Sequence, residues 1–254
     1  MFFNKKIKNF RIISENEKFK IFKKTKVDFV VNIKFNNKFS RISAYDFIKN
    51  IIFKKMNPKL LAVSNNFKFG KNRKGNISLL KKFSSKYNYK LLKIKPHKHL
   101  KQTVSSTRIR NYLKNGKINI ANKLLSRTWF VEGEVEEGKK IGRKLGFPTC
   151  NFSIKNYILP KRGIYAVKVL VLSSEKRYGG VAYLGSRPTY NGNGVLLETN
   201  IFGINRNLYK KKIRVYFLKF LRGDKKFKNS TQLTRQMNKD VIFAKKGLKT
   251  KLII

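Results

Sequence analysis

One cysteine, Cys150, is present in 254 residues, so no internal disulfide forms and a cysteine-based zinc site is excluded. A reducing compartment suits such a chain. No apolar run approaches the ~18 residues that a membrane-spanning helix needs. The opening "MFFNKKIKNFRII" lacks the apolar core of a secretory signal. A soluble cytoplasmic protein without a membrane partner is therefore expected. Acids are also scarce: 12 Asp and Glu in total, none between Phe47 and Val131. A carboxylate base or metal ligand in the second half must come from Glu132, Glu134, Glu136, Glu137, Glu175, Glu198, Asp224 or Asp240. The two histidines, His97 and His99, sit together in "PHKHL", which gives no basis for a Ser-His-Asp arrangement.

What is abundant is lysine. The formal charge is +49, and lysines outnumber arginines 47 to 14. Such a balance ordinarily points to nucleic acid or an anionic membrane. Here the lysines are spread through every segment and rise together with Phe, Ile and Asn. That pattern reads as drift toward A+T-rich codons on a solvated surface, and nucleic acid is not the expected partner. Apolar residues make up 41%, enough for one large core or two ordinary ones.

The first half alternates strand-like and helix-like runs. "VDFVVNIKF" (Val27 to Phe35) predicts a buried strand, and "SAYDFIKNIIFKKM" a helix capped by Ser43 with Asp46 three residues on. "KLLAVS", "NISLLKKFSSKYN" and "YKLLKI" continue as strand, helix, strand, which implies a parallel α/β sheet. Two short helices follow, the first stopping at Gly116. After about Ser126, helical periodicity gives way to short apolar strands separated by glycine-bearing turns, the signature of an antiparallel barrel, closed by a final helix that aligns Leu233, Met237 and Val241. The expected domains are 1–126 and 127–254.

The stretch "GKKIGRKLGFPTCNF" places Gly138, Gly142 and Gly146 at four-residue spacing before Pro148. Glycines let a backbone approach a phosphate, and a run of N–H groups in a turn makes an anion-binding concavity. Thr149 and Asn151 alternate along a strand and face one side, where two neutral oxygens suit magnesium. The same spacing also serves a tight hairpin with local Thr and Asn hydrogen bonds. Glu198, in "VLLETNIF", is a lone carboxylate among apolar neighbours, either a proton acceptor or an ordinary solvent-facing residue.

The segments "VEGEVEEGKKIGRKLGFPTCNF", "GIYAV", "GGVAYLGSRPTY", "LLETNIF" and "LYKKKIRVYFLKFLRGDKKF" follow in the order and spacing of the riboflavin kinase module. The chain resembles the bacterial bifunctional riboflavin kinase/FAD synthetase family over nearly its whole length. The resemblance implies an ATP- and Mg2+-dependent kinase that converts riboflavin to FMN on a small antiparallel barrel. It implies that the loop from Gly138 to Gly146, with Gly142 and Arg143, covers the ATP phosphates. Thr149 and Asn151, after Pro148, would serve magnesium and phosphate, and Glu198 would be the catalytic carboxylate. Arg187, Arg222 and Phe227 would lie near the ligands, the last two beside the flavin. Cys150 stands where the family often has alanine and is expected to be a packing residue. The reading requires Glu198 to lie beside the Thr149–Asn151 pair.

The first half resembles the family's adenylyltransferase module, a Rossmann-like nucleotidyltransferase fold. "LLAVSNNFKFGKNRKGN" and "VSSTRIRNYLKNGKI" carry the likeness, the latter at a helix N-terminus. The family's G-x-F-D-G-x-H-x-G-H turn has no counterpart in the sequence, and Ser64 and Asn65 stand where a glycine and an acid are expected. The expectation is a truncated module with impaired adenylyl transfer, in which Asn66, Ser105, Ser106, Thr107 and Arg110 are vestigial. The alternative is an enzyme that keeps both activities and ends at FAD.

Overall fold

The computed structural model describes residues 9–99, 101–138, 141–154, 157–189, 192–204 and 207–248, with the backbone alone at 141, 186–189 and 192–194. The chain divides into two compact units. One spans Val27–Val104, and the other holds the described parts of Ile7–Lys26 and Ser105–Ile254. Helix α1 (Glu15–Lys23) comes first in the chain and belongs to the second unit.

In the first unit, a short α2 (Asn37–Ser40) is followed by α3 (Ala44–Asp46). Ser43 caps α3 as its sequence predicts. Its Oγ accepts the Asp46 N–H at 2.9 Å, and its hydroxyl donates to the Asp46 carboxylate at 2.7 Å. The helix then widens into a π-helical stretch, Phe47–Met56, that ends at left-handed Asn57 and buries Ile48 and Ile52. Strands β1 (Leu60–Ser64) and β2 (Lys90–Ile94) pair in parallel, with α4 (Ile77–Ser84) between them in sequence. Asn76 caps α4, whose Leu80 joins Val63, Phe69, Tyr87 and Tyr89 in the core. This is one βαβ unit of the expected parallel α/β layer.

The buried strand expected over Val27–Phe35 is not formed. Among the described residues it has no strand partner, and Val27, Val31 and Ile33 are exposed, with Phe29 at 87%. Apolar alternation specifies a strand only where a neighbour takes its backbone hydrogen bonds. Beyond β2, β3 (Lys98–His99) and β4 (Gln102–Thr103) form a small antiparallel hairpin that carries His99.

After α1, the second unit resumes with α5 (Ser106–Lys114) and α6 (Ile118–Leu125), so the two helices before Ser126 group with the barrel. Ser105 caps α5, and Gly116 turns the chain at φ +73°. The remaining elements are β5 (Phe130–Glu134), α7 (Ile141–Lys144), β6 (Cys150–Ser153), β7 (Gly163–Val171), β8 (Lys176–Thr189), β9 (Gly192–Ile201), β10 (Lys212–Arg222) and α8 (Ser230–Gly247). The six strands form one antiparallel sheet in the order β5-β10-β7-β8-β9-β6. The Glu136 N–H donates to the Asn151 carbonyl at 2.7 Å and draws the two sheet edges together into a nearly closed barrel. Trp129, Phe152, Tyr165 and Phe217 fill the interior. The side chain of Asn122 ties α6 to this barrel. Its oxygen accepts the Trp129 N–H at 2.8 Å and its amide donates to the Phe217 carbonyl at 3.0 Å.

Helix α1 is fixed to the barrel by charge. Glu17 is buried, and its carboxylate lies 3.1 Å from Arg214, which also meets Glu132 at 2.6 Å. The Arg214 guanidinium stacks over Phe130 at 4.3 Å. Just upstream, the Trp129 indole donates to the Ile12 carbonyl at 2.7 Å and Arg110 to the Phe10 carbonyl at 2.7 Å. These contacts were not legible in the sequence, although Ser14 followed by Glu15 and Glu17 is a helix-start signal.

Candidate active site

The ladder between β6 and β9 sets Asn151 directly opposite Glu198, and the ladder between β9 and β8 sets Glu198 opposite Tyr183. Paired residues in adjacent strands face the same side, so Asn151, Glu198 and Tyr183 form one row across three strands. Their neighbours Phe152, Leu197 and Thr199 face the interior instead, and all three are fully buried. The sequence separates Asn151 from Glu198, and the register brings them together.

The glycine-rich turn before β6 has local reasons for its composition. A Cβ on Gly138 would collide with the side-chain amide of Asn151, and one on Gly142 with the Phe147 carbonyl. Gly146 stands at φ +81° and ends α7. The Gly146 N–H donates to the Arg143 carbonyl at 3.2 Å and the Phe147 N–H to the Gly142 carbonyl at 2.7 Å, a Schellman closure. The Asn200 amide then holds the Pro148 carbonyl at 2.8 Å. This turn is held shut by its own hydrogen bonds and delivers Thr149 and Asn151 to the sheet.

Asn151 is buried, and its Oδ1 has no hydrogen-bond partner among the described residues. A buried amide oxygen without a donor is costly and marks a place for a ligand. The buried Thr199 Oγ1, on the interior face, is also unpartnered among the described residues, and nothing in the structure explains it. Among the described residues no group of three His, Cys, Asp or Glu could hold a metal ion.

Beside this row lies a cleft of about 360 Å³ between the barrel and α8. Gly142, Thr149, Glu198, Arg222 and Phe227, all named from the sequence, line it. Its apolar walls come from Leu145, Phe147, Ile164, Val181, Leu233, Met237 and Val241, and Tyr183, Asp224 and Asp240 add polar groups. Concave, mostly apolar walls with a few placed polar groups are what a flat heteroaromatic ligand needs. A second recess of about 70 Å³ on the other side of Thr149 is lined by Arg143, Pro148, Cys150, Asn207 and Tyr209. Thr149 borders both spaces.

Burial, then Asp224 and Glu198, push the Tyr183 phenol up, so it remains a hydrogen-bond donor facing two acids at neutral pH. Burial alone pushes the Cys150 thiol up to about 11. At pH 8 its thiolate is then on the order of 0.1% of the population. Folded protein is expected to react with an aromatic disulfide reagent far more slowly than the same protein in denaturant. Rapid stoichiometric labelling of the folded chain would contradict the packing role.

Arg187 lies on β8 opposite Gly194, and its side chain is outside the described residues. Asn66 accepts from the Ser64 hydroxyl at 3.1 Å in the first unit. Ser105, Ser106 and Thr107 are exposed at the start of α5, and Arg110 is engaged with the Phe10 carbonyl. None of these four lines the cleft. Sequence reasoning did not anticipate Tyr183, which only the β8–β9 register reveals, or Asp240, which it named only among the available acids.

A barrel that sets an acid on the wall of an apolar cleft, opposite a buried asparagine, and is joined to a separate α/β unit, marks a two-module protein with a candidate small-molecule site on its barrel. A family model described as riboflavin kinase matches residues 125–248, and one described as FAD synthetase matches residues 1–108. The chain is 40% identical over 249 residues to a bifunctional riboflavin kinase/FMN adenylyltransferase of Buchnera aphidicola subsp. Schizaphis graminum, covering 96% of this chain and 79% of that one. It is 32% identical over 235 residues to the protein of the same name from Escherichia coli K12, covering 92% and 75%. The chain belongs to the bifunctional riboflavin kinase/FMN adenylyltransferase family. A crystal structure titled as a macrolide-efflux protein from Streptococcus pneumoniae superposes with a TM-score of 0.82 at 28% identity, covering 92% of this chain and 75% of that one. That title speaks for the other protein. Among the described residues here, no helix is long and apolar enough to cross a membrane.

Proposed function

We propose that the chain is a riboflavin kinase, transferring the γ-phosphoryl group of ATP to the 5′-hydroxyl of riboflavin to give FMN and ADP. The observation that carries this reading is the opposition of Asn151 and Glu198 across β6 and β9, with Glu198 lining the apolar cleft. The flavin ring lies in the cleft against Phe227 and α8, and the ribityl arm reaches toward Glu198. The Glu198 carboxylate takes the proton of the 5′-hydroxyl as the new O–P bond forms and the bond between the β,γ-bridging oxygen and the γ-phosphorus breaks. Such a transfer relies on alignment and fixed charge more than on covalent help.

The orphaned Asn151 Oδ1 and the Thr149 hydroxyl fit a magnesium ion, an oxygen-seeking cation that keeps several of its waters. When bound, it supplies positive charge to the nucleotide phosphates. The turn from Gly138 to Gly146, with Arg143, is the proposed nucleotide side of the site. The proposed modules are 127–254 for the kinase and 1–126 for the adenylyltransferase-like part, and the proposed location is the cytoplasm.

The FAD synthetase match over 1–108 favours a second activity, adenylyl transfer to FMN. The two histidines present, His97 and His99, lie in or beside the small hairpin of β3 and β4 and supply no phosphate-binding turn. Purified protein with ATP, magnesium and riboflavin is expected to form FMN and ADP in equal amounts, read by separating FMN from FAD. Riboflavin left unphosphorylated would overturn the kinase reading, and FAD accumulation would establish the second activity.

A further inference from the structure

We infer that Asp240 is a positioning residue that sets the selectivity of the cleft: by gripping Arg222 in a bidentate pair it keeps that guanidinium from holding the phosphorylated product. The inference rests on the kinase reading of the cleft. Asp240 projects from α8 and is 3% exposed. Its Oδ1 accepts from Arg222 Nε at 2.8 Å and from Gln236 Nε2 at 3.0 Å, and its Oδ2 accepts from Arg222 Nη2 at 2.6 Å. Arg222 Nη1 donates to the Gly223 carbonyl at 2.9 Å. All three guanidinium nitrogens are thus committed to the protein, in the fork geometry that fixes an arginine in direction as well as in charge.

The place of the pair gives it a role beyond packing. Arg222 and Asp240 line the same cleft as Glu198, and the guanidinium carbon lies 6.0 Å from the Phe227 ring centre. Riboflavin is uncharged, whereas FMN carries a phosphate. A loose arginine in this cleft would favour the phosphate-bearing flavin, because charge-assisted contacts strengthen where water is excluded. Paired with Asp240, Arg222 presents little net charge. That pairing leaves the product free to depart.

The test is flavin binding by the full chain, measured by quenching of flavin fluorescence with riboflavin and with FMN in the absence of nucleotide. Asp240→Asn keeps the shape and removes the charge. It is expected to tighten FMN relative to riboflavin by about ten-fold, the size of one freed charge-assisted contact. FMN inhibition of turnover should tighten in parallel. Asp240→Glu should restore the original ratio. In an Arg222→Gln background, Asp240→Asn should leave the ratio unmoved, since the two residues act as one unit. If Asp240→Asn unfolds below the assay temperature, Arg222→Lys keeps the charge without the fork and should move the ratio the same way. A ratio unchanged in a folded variant, or changed equally without Arg222, overturns the inference and leaves the kinase reading standing. Failure of the unaltered chain to bind riboflavin overturns both.

Discussion

Glu198→Gln is expected to lower turnover by about 10²–10⁴-fold, the range lost when a positioned general base is removed. Glutamine keeps the size and the hydrogen-bonding reach of the side chain, so β6, β9 and β8 keep their register. Riboflavin binding should therefore remain close to that of the unaltered protein, and unfolding free energy should change by about 0.5 kcal/mol or less. Steady-state kinetics with an FMN readout, together with a denaturant melt, separates the two effects. Near-normal turnover in the variant would remove Glu198 from the proton transfer and make Asp224, a cleft acid outside the Arg222–Asp240 pair, the next to test.

Arg214→Ala should act on stability rather than chemistry. Arg214 sits between Glu17 and Glu132, with side-chain exposures of 16%, 4% and 20%. Removing the cation leaves the half-buried Glu132 carboxylate without its partner and leaves the buried Glu17 carboxylate with Lys20 alone, at 2.8 Å, at a cost of about 3–5 kcal/mol. The stacking over Phe130 is lost as well. The sign of the pH dependence follows from Glu132, whose pKa is raised above its ordinary 4.5 by burial and by Glu17, against the opposing effect of Arg214. A carboxyl whose folded pKa lies above its unfolded one binds more protons when folded. Its contribution is full below 4.5 and is lost as pH rises through the folded value. Without Arg214 that folded value climbs further, so the deficit of the variant should be larger at pH 8 than at pH 5. Urea melts at the two pH values read this directly. An equal deficit at both would mean that the carboxylates do not depend on Arg214 for their burial.

The barrel was legible because its cues are local. Alternating apolar residues in "GIYAVKVLVL" and "KKIRVYFLKFL" are bounded by glycine-bearing turns, and β7 and β10 lie where those runs predict. The cap at Ser43 was visible for the same reason, and Asn76 and Ser105 cap α4 and α5 in the structure. Val27–Phe35 shows the limit. Its composition suits a strand, but strand formation depends on a partner elsewhere in the chain. The π-helical turn of Phe47–Met56 has no simple sequence signature, since a change from i+4 to i+5 bonding leaves the apolar spacing almost unaltered.

The site was legible by residue type and resemblance, not by geometry. Thr149, Asn151 and Glu198 could be named, but their juxtaposition depends on the register between β6 and β9. Arg222 was visible in "LRGDKKF", whereas its partner lies 18 residues away on α8 and could be found only in three dimensions. The glycines were read as clearance for a phosphate. The structure adds a requirement internal to the protein: Gly138 makes room for the Asn151 amide.

The row formed by Asn151, Glu198 and Tyr183 carries a rule of parity. A strand shows alternate residues to alternate sides, so one residue added to β9 ahead of Glu198 would swing the acid into the greasy interior and bring Leu197's side chain out in its place. Two added residues would restore the outlook. Length variation in this strand should therefore be tolerated only in even steps.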